Sequence, residues 1–144
     1  MKIFTIGFTK KSARQFFTSL RGKGIRKLVD VRLNNTSQLS GFAKKDDLAF
    51  FLLELCGIPY IHLPILAPTQ DILDAFKKKR GPWRDYEAAF LRLMQTRRVE
   101  DEVQPGTMEN SCLLCSEHKP DHCHRRLVAE YLRDKWGNVQ IEHL

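Results

Sequence analysis

Ser111-Cys112-Leu113-Leu114-Cys115, then Ser116-Glu117-His118-Lys119-Pro120-Asp121-His122-Cys123-His124-Arg125-Arg126, then Leu127-Val128-Ala129-Glu130-Tyr131-Leu132 is the stretch that decides the fold. The first part is an apolar run with strand character. Leu127, Val128, Tyr131 and Leu132 then recur at helical spacing, Gly137 ends that helix, and Val139-Gln140-Ile141 reads as another strand. A strand, a helix and a strand in succession imply a parallel pair joined by a crossover. The thirteen residues from Leu114 to Arg126 carry two thiols, three imidazoles, two acids and three bases. Reactive groups between a strand end and a helix start lie where open α/β sheets place their ligands.

The same alternation runs back to the start of the chain. Residues 2–6 read as a first strand. Ser12 with Gln15 forms a capping box ahead of Ala13, Phe16, Phe17 and Leu20, and Gly22 and Gly24 end that helix. Leu28-Val29-Asp30-Val31 is a second strand, and residues 33–43 read as a loop rich in Asn, Thr, Ser and Gly. Leu48, Phe51, Leu52 and Leu55 mark a second helix stopped by Gly57, and Tyr60-Ile61-His62-Leu63 a third strand. Thr69 caps a helix carrying Ile72, Leu73 and Phe76. Gly81-Pro82 breaks it, and Tyr86, Phe90, Leu93 and Met94 mark the next. The polar residues 99–110, with Pro105-Gly106, read as a surface loop. The expectation is an α/β fold: a single three-layer domain over residues 1–144, with a mainly parallel five-stranded sheet in the order 3-2-1-4-5 and helices on both faces.

Composition bounds the function. The 144 residues include 42% hydrophobic ones, enough for a core, and no apolar run approaches the roughly 18 residues of a membrane span. The start Met1-Lys2-Ile3-Phe4-Thr5-Ile6-Gly7 reads as a strand, not a signal peptide, so the cytoplasm is the expected location. A net charge of +7 favours anionic partners, namely phosphate-bearing small molecules or nucleic acid, although it also fits a solvated basic surface. The run Lys77-Lys78-Lys79-Arg80 suits a helix C-terminus without any ligand. The four cysteines, Cys56, Cys112, Cys115 and Cys123, are read as free thiols, with Cys56 in the core. Cys112 and Cys115 form a C-x-x-C, but residues three apart on a strand point to opposite faces, which argues against a redox pair.

With Thr5-Ile6-Gly7, Val29-Asp30-Val31-Arg32, Leu114-Cys115-Ser116-Glu117 and Cys123-His124-Arg125-Arg126 in view, the chain resembles the domain-of-unknown-function family numbered 488 over nearly its whole length. The resemblance implies a compact α/β domain and supplies no reaction. The family usually has Gly-His after Thr-Ile. Phe8 stands here in place of that His, so any role for an imidazole at that position is absent or taken by another residue.

The residues themselves suggest chemistry. The carboxyl ends of strands one, two and four share an edge, where Gly7, Thr9, Asp30, Arg32, Cys115 and Glu117 could converge. Gly7 also fits a tight turn, and Asp30 with Arg32 a structural ion pair. Asp121 is expected to cap the last helix, placing Cys123, His124 and Arg125 in its first turn. Two arginines there oppose the helix dipole unless an anion is bound, so Arg125 and Arg126 are candidate phosphate ligands, or else partners of Glu117 or Asp30. Cys123, beside arginines at a helix start, is expected to have a lowered pKa and to be the nucleophile, with Cys115 the alternative. His124 is the candidate proton carrier, and Glu117 would orient a thiol, a base or an arginine. A phosphatase-type Cys-x5-Arg loop is absent, since Asp121 and Ala129 lie six residues beyond Cys115 and Cys123. Zinc is a rival ligand for Cys115, His118, His122, Cys123 and His124, but adjacent Cys123 and His124 on a helix would diverge by about 100°. His62 and His143 are expected to make ordinary hydrogen bonds. No metal or cofactor is assigned. Three readings stand: an enzyme acting on a phosphate-bearing ligand, nucleotide or nucleic acid; a non-catalytic nucleotide or nucleic-acid-binding module; and a zinc-stabilised interaction protein.

Overall fold

A computed structural model describes residues 1–36 and 40–144. Ser37, which contributed to the loop reading of residues 33–43, lies outside the described residues. The strands are β1 (Lys2–Gly7), β2 (Lys27–Asp30), β3 (Tyr60–His62), β4 (Ser111–Cys115) and β5 (Gln140–His143). They form one sheet, parallel at every pairing, in the order β3-β2-β4-β1-β5. The expected order 3-2-1-4-5 is therefore corrected: β4 inserts between β2 and β1. The physical reason is the width of the crossovers. A helix is about 10 Å across, roughly two strand spacings, so a connecting helix readily skips one strand. Thus α1 (Ala13–Leu20) carries the chain from β1 past β4 to β2, and α7 (His124–Trp136) carries it from β4 past β1 to β5.

The helices divide between the two faces. On one face α1, α2 (Lys45–Phe51) and the π-helical turn Leu52–Cys56 cover Phe4, Ile6, Leu28, Cys112 and Leu114. On the other, α3 (Gln70–Lys77), α4 (Trp83–Arg97), α5 (Val99–Glu102), α6 (Pro105–Met108) and α7 cover Ile3, Val29, Val31, Leu113 and Cys115. Alternate strand residues supply the two cores, as a two-residue period requires. Because Cys112 and Cys115 differ by an odd number of positions, they belong to opposite faces.

The local signals work as read. Ser12 and Gln15 make both bonds of the capping box. Thr69 accepts from the Ile72 N–H at 3.3 Å, and Pro82 starts α4. Two readings are corrected. Residues 99–110 are not a plain loop but hold α5 and α6, because Val99, Val103 and Met108 turn inward from an otherwise polar stretch. Leu55, expected on the inner face of the second helix, is exposed. The π turn adds residues per turn and rotates the later positions off the 3.6-residue pattern.

Candidate functional site

The position of β4 assembles the site. Gly7 and Cys115 are register partners at the ends of β1 and β4, and the Val31 N–H just beyond β2 bonds the Leu114 carbonyl at 3.1 Å. Cys115 is thus flanked by both neighbouring strand ends. The chain then turns through Pro120–Cys123, closed by a Cys123 N–H to Pro120 carbonyl bond of 3.2 Å. Cys123, not Asp121, is the residue before α7, with extended backbone at φ −138° and ψ 137°. Asp121 is exposed, and its carbonyl accepts from Arg126. This correction changes the geometry of the thiols. Since Cys123 is extended and not helical, the divergence expected of adjacent helical side chains does not arise. The sulfurs of Cys115 and Cys123 and a ring nitrogen of His124 all lie within 4.8 Å of one another.

His124 is buried and its ring is fixed at both ends. Nε2 lies 2.5 Å from the Val31 carbonyl oxygen, and Nδ1 lies 3.4 Å from Cys115 Sγ. A carbonyl only accepts, so Nε2 carries hydrogen and Nδ1 is left to exchange a proton with the thiol. Burial raises the Cys115 pKa, but a hydrogen bond from Cys123 and the charge and hydrogen bond of His124 outweigh it and hold the thiol well below its usual value. Burial likewise disfavours charge on His124, yet the Cys115 thiolate and the Val31 carbonyl bring its pKa up. Each member of the pair thus favours the charged form of the other. Cys123 goes the other way: burial and its bond to Cys115 push it well above the ordinary thiol value. The imidazole hydrogen-bonds Cys115 and not Cys123, the thiol expected to be activated. Cys112 is raised by burial on the opposite face, and Cys56, raised by partial burial, is only half-buried, with Sγ 3.6 Å from the Phe17 carbonyl.

Cys115, Cys123 and His124 line a cleft of about 190 Å³ at the carboxyl ends of β2 and β4. Its other walls include Arg32, Pro68, Leu73, Phe76, Trp83 and Tyr86. The aromatic wall was missed in the sequence, where Phe76 and Tyr86 read only as helix core positions. Its rings stack: Trp83 lies between Tyr86 at 4.9 Å and His122 at 5.0 Å. The Val31 carbonyl was also missed, since a main-chain atom leaves no sequence signal.

The two expected anion-binding regions part company. Arg32 is 3% exposed. Its Nε and Nη2 reach the Asp30 carboxylate at 2.9 and 2.8 Å, and Tyr60 donates to the same carboxylate at 2.5 Å. Burial and Asp30 push the Tyr60 phenol up, so it remains a donor. Asp30 is therefore a structural partner, as its alternative reading held. Arg32 Nη1 is buried without a hydrogen-bond partner among the described residues. Phe8, at the position of departure from the family pattern, places its ring 5.4 Å from the Arg32 guanidinium, a cation–π support.

Arg125, expected to hold phosphate, does not face the cleft. Fully buried, it donates from Nη1 to the Glu117 carbonyl at 2.6 Å, from Nη2 to the His118 carbonyl at 3.3 Å and from Nε to Thr5 Oγ1 at 3.4 Å. Main-chain acceptors consume the charge that an anion was expected to meet. Arg126 pairs with Glu130 at 2.8 Å, away from the cleft. Gly7 is a close-approach position: a Cβ there would stand 1.6 Å from the Glu117 carbonyl oxygen. Thr9 bonds the Ser116 carbonyl from its N–H at 3.0 Å and lines an outer groove with Lys10 and His118. The Glu117 carboxylate orients none of the expected groups, since it pairs with Lys77 at 2.5 Å at the cleft mouth. His62 and His143 make single hydrogen bonds, to the Arg32 carbonyl and to Thr5.

The fold and the site together define a class: a parallel α/β protein with a buried Cys–His pair in a cleft at the carboxyl edge of its sheet. The family model described as Domain of unknown function DUF488 matches residues 12–132, and the chain belongs to that family. Comparisons with curated proteins and with solved structures return no match. No described helix is long and apolar enough to cross a membrane.

Proposed function

We propose that the protein is an enzyme in which Cys115 is the nucleophile, His124 the proton carrier and Arg32 the anchor for a phosphate-bearing ligand, a nucleotide or nucleic acid. The observation that carries this reading is the Cys115 Sγ to His124 Nδ1 contact of 3.4 Å at a cleft whose lining includes Arg32. The thiolate is the reactive form of cysteine, and an adjacent imidazolium both stabilises it and can return a proton to a leaving group. Arg32 Nη1 offers a charge-assisted donor whose other arms are already held by Asp30. The net charge of +7 favours the approach of such a ligand. Free thiols suit a reducing compartment, and we place the activity in the cytoplasm.

A brief iodoacetamide pulse on folded, chelator-treated protein, read by site-resolved mass spectrometry, tests the nucleophile. Cys115 should label faster than Cys112 and Cys123. Its pKa is lowered, so its rate should fall less steeply between pH 8 and pH 6.5 than that of an ordinary thiol, which loses thiolate about tenfold per unit below its pKa. His124→Gln should restore that steep fall. Labelling of Cys115 no faster than buried Cys112 would reject the reading.

A second reading has its own support. Two thiols and an imidazole within 4.8 Å form a soft donor set open to the cleft, and the imidazole's far nitrogen donates to a carbonyl, as in many zinc sites. Metal analysis of protein purified without chelator decides it: about one zinc per chain, with labelling of Cys115 only after chelation, would favour the metal site. A ligand that binds with steep salt dependence and is never turned over would favour a non-catalytic module.

A further inference from the structure

We infer that Cys123 is a resolving thiol: a hydroperoxide entering the cleft oxidises Cys115, and Cys123 captures the product as an intrachain disulfide. The two sulfurs lie within 4.8 Å of each other. Cys115 ends β4 and Cys123 immediately precedes α7, with an extended backbone that turns its side chain back over the strand. Both thiols are free and both line the cleft, which has room for a small peroxide. The choice of partner is unambiguous. Cys112 packs in the core of the opposite sheet face, and Cys56 sits beside Phe17 on that face as well.

The chemistry balances. The Cys115 sulfur attacks the terminal oxygen of the peroxide. An S–O bond forms, the O–O bond breaks, and sulfur gives up two electrons to oxygen. The alkoxide leaves as the alcohol with the proton from His124 Nδ1, which faces the sulfur at 3.4 Å. Cys123 then attacks the sulfenic sulfur. The S–S bond forms, the S–O bond breaks, and the hydroxyl leaves as water with the Cys123 proton. Two thiols and one hydroperoxide give one disulfide, one alcohol and one water. An external thiol returns the pair to the reduced state by exchange. The device would shut off the nucleophile reversibly and keep it from irreversible oxidation. It needs only an accessible Cys115, and not the substrate assigned above.

The test is intact-mass and peptide analysis of reduced, chelated full-length protein after stoichiometric hydrogen peroxide. The wild type should lose two hydrogens, with a Cys115–Cys123 cross-link that dithiothreitol reverses. Cys123→Ser, and Cys123→Ala as a second variant, should instead add oxygen at Cys115 and proceed to the sulfinic and sulfonic acids. Cys112→Ser should behave as wild type. Wild-type protein that accumulates sulfinic acid without a cross-link, or cross-links through Cys56, Cys112 or a second chain, would overturn the inference. If Cys115 still alkylates rapidly in that case, the nucleophile assignment survives without the resolving thiol.

Discussion

The end of β2 and the first turn of α7 each bury an arginine, and the two are used differently. Arg125 spends its nitrogens on two main-chain carbonyls and a threonine hydroxyl, and pins the loop that carries the site. Arg32 is held on two sides by one carboxylate, with Nη1 left over. A buried guanidinium whose nitrogens all have partners within the protein is scaffold. Arg32 lines the cleft and has one buried nitrogen without a partner among the described residues, so it is the guanidinium we propose to meet a ligand. Sequence position could not separate them, because Arg32, just past β2, and Arg125, at the start of α7, both lie at the carboxyl edge of the sheet amid polar neighbours.

Four substitutions sharpen the contrast. The largest effect is expected for Arg125→Ala, which removes charged hydrogen bonds and strands buried carbonyls. A loss of about 5 kcal/mol in unfolding free energy follows, at about 1.5–3 kcal/mol for each bond to a charged group. In urea titrations the midpoint should fall sharply. A loss below about 1 kcal/mol would break the scaffold assignment.

Arg32→Ala comes next, at about 3–4 kcal/mol, because it leaves the Asp30 carboxylate buried and unpaired. The double change Asp30→Asn with Arg32→Met should cost less than about 2 kcal/mol, since a buried pair replaced together leaves no orphan charge. The amide oxygen can keep the residue-32 N–H that Asp30 Oδ1 accepts, and the amide NH2 then stands at the Oδ2 position, where the Tyr60 hydroxyl can accept in place of donating. This folded double variant should no longer be stabilised by inorganic phosphate in thermal-shift measurements, whereas the wild type should be. Equal stabilisation of both would remove Arg32 as the anchor.

Gly7→Ala tests the loop from its other side. The added Cβ would collide with the Glu117 carbonyl that Arg125 holds, so the loop must shift. The expected cost is about 3 kcal/mol, and Cys115 alkylation should change with it, because residues 116–123 link the two thiols. The smallest effect is expected for Lys77→Ala. Its pair with Glu117 is short, but both side chains are more than a third exposed, and solvent screens such pairs to less than about 1 kcal/mol. A larger loss would mean that the cleft mouth is structurally fixed.

Much of the fold was legible in local chemistry. The capping box at Ser12, the Thr69 cap, the Gly81-Pro82 break and the two-residue period of the strands act over a few residues. The sequence therefore displays them directly and implies a parallel sheet clad by helices on both faces. The cluster Cys115, Cys123 and His124 was visible for the same reason, as soft and basic groups crowded between a strand and a helix. The roles within the cluster were not visible. They depend on a single shift in where α7 begins, which turns Cys123 from a helical residue into an extended one and brings its sulfur against Cys115. They also depend on β4 lying between β2 and β1, which sets the Val31 carbonyl at His124 and the loop carbonyls at Arg125. Strand order is set by how crossover helices pack across the whole sheet, and no local pattern encodes it. The sequence alone determined which reactive groups share one edge of the sheet. Only the tertiary structure decided which thiol faces the imidazole and which groups meet Arg125, because both depend on main-chain carbonyls delivered from distant strands and loops.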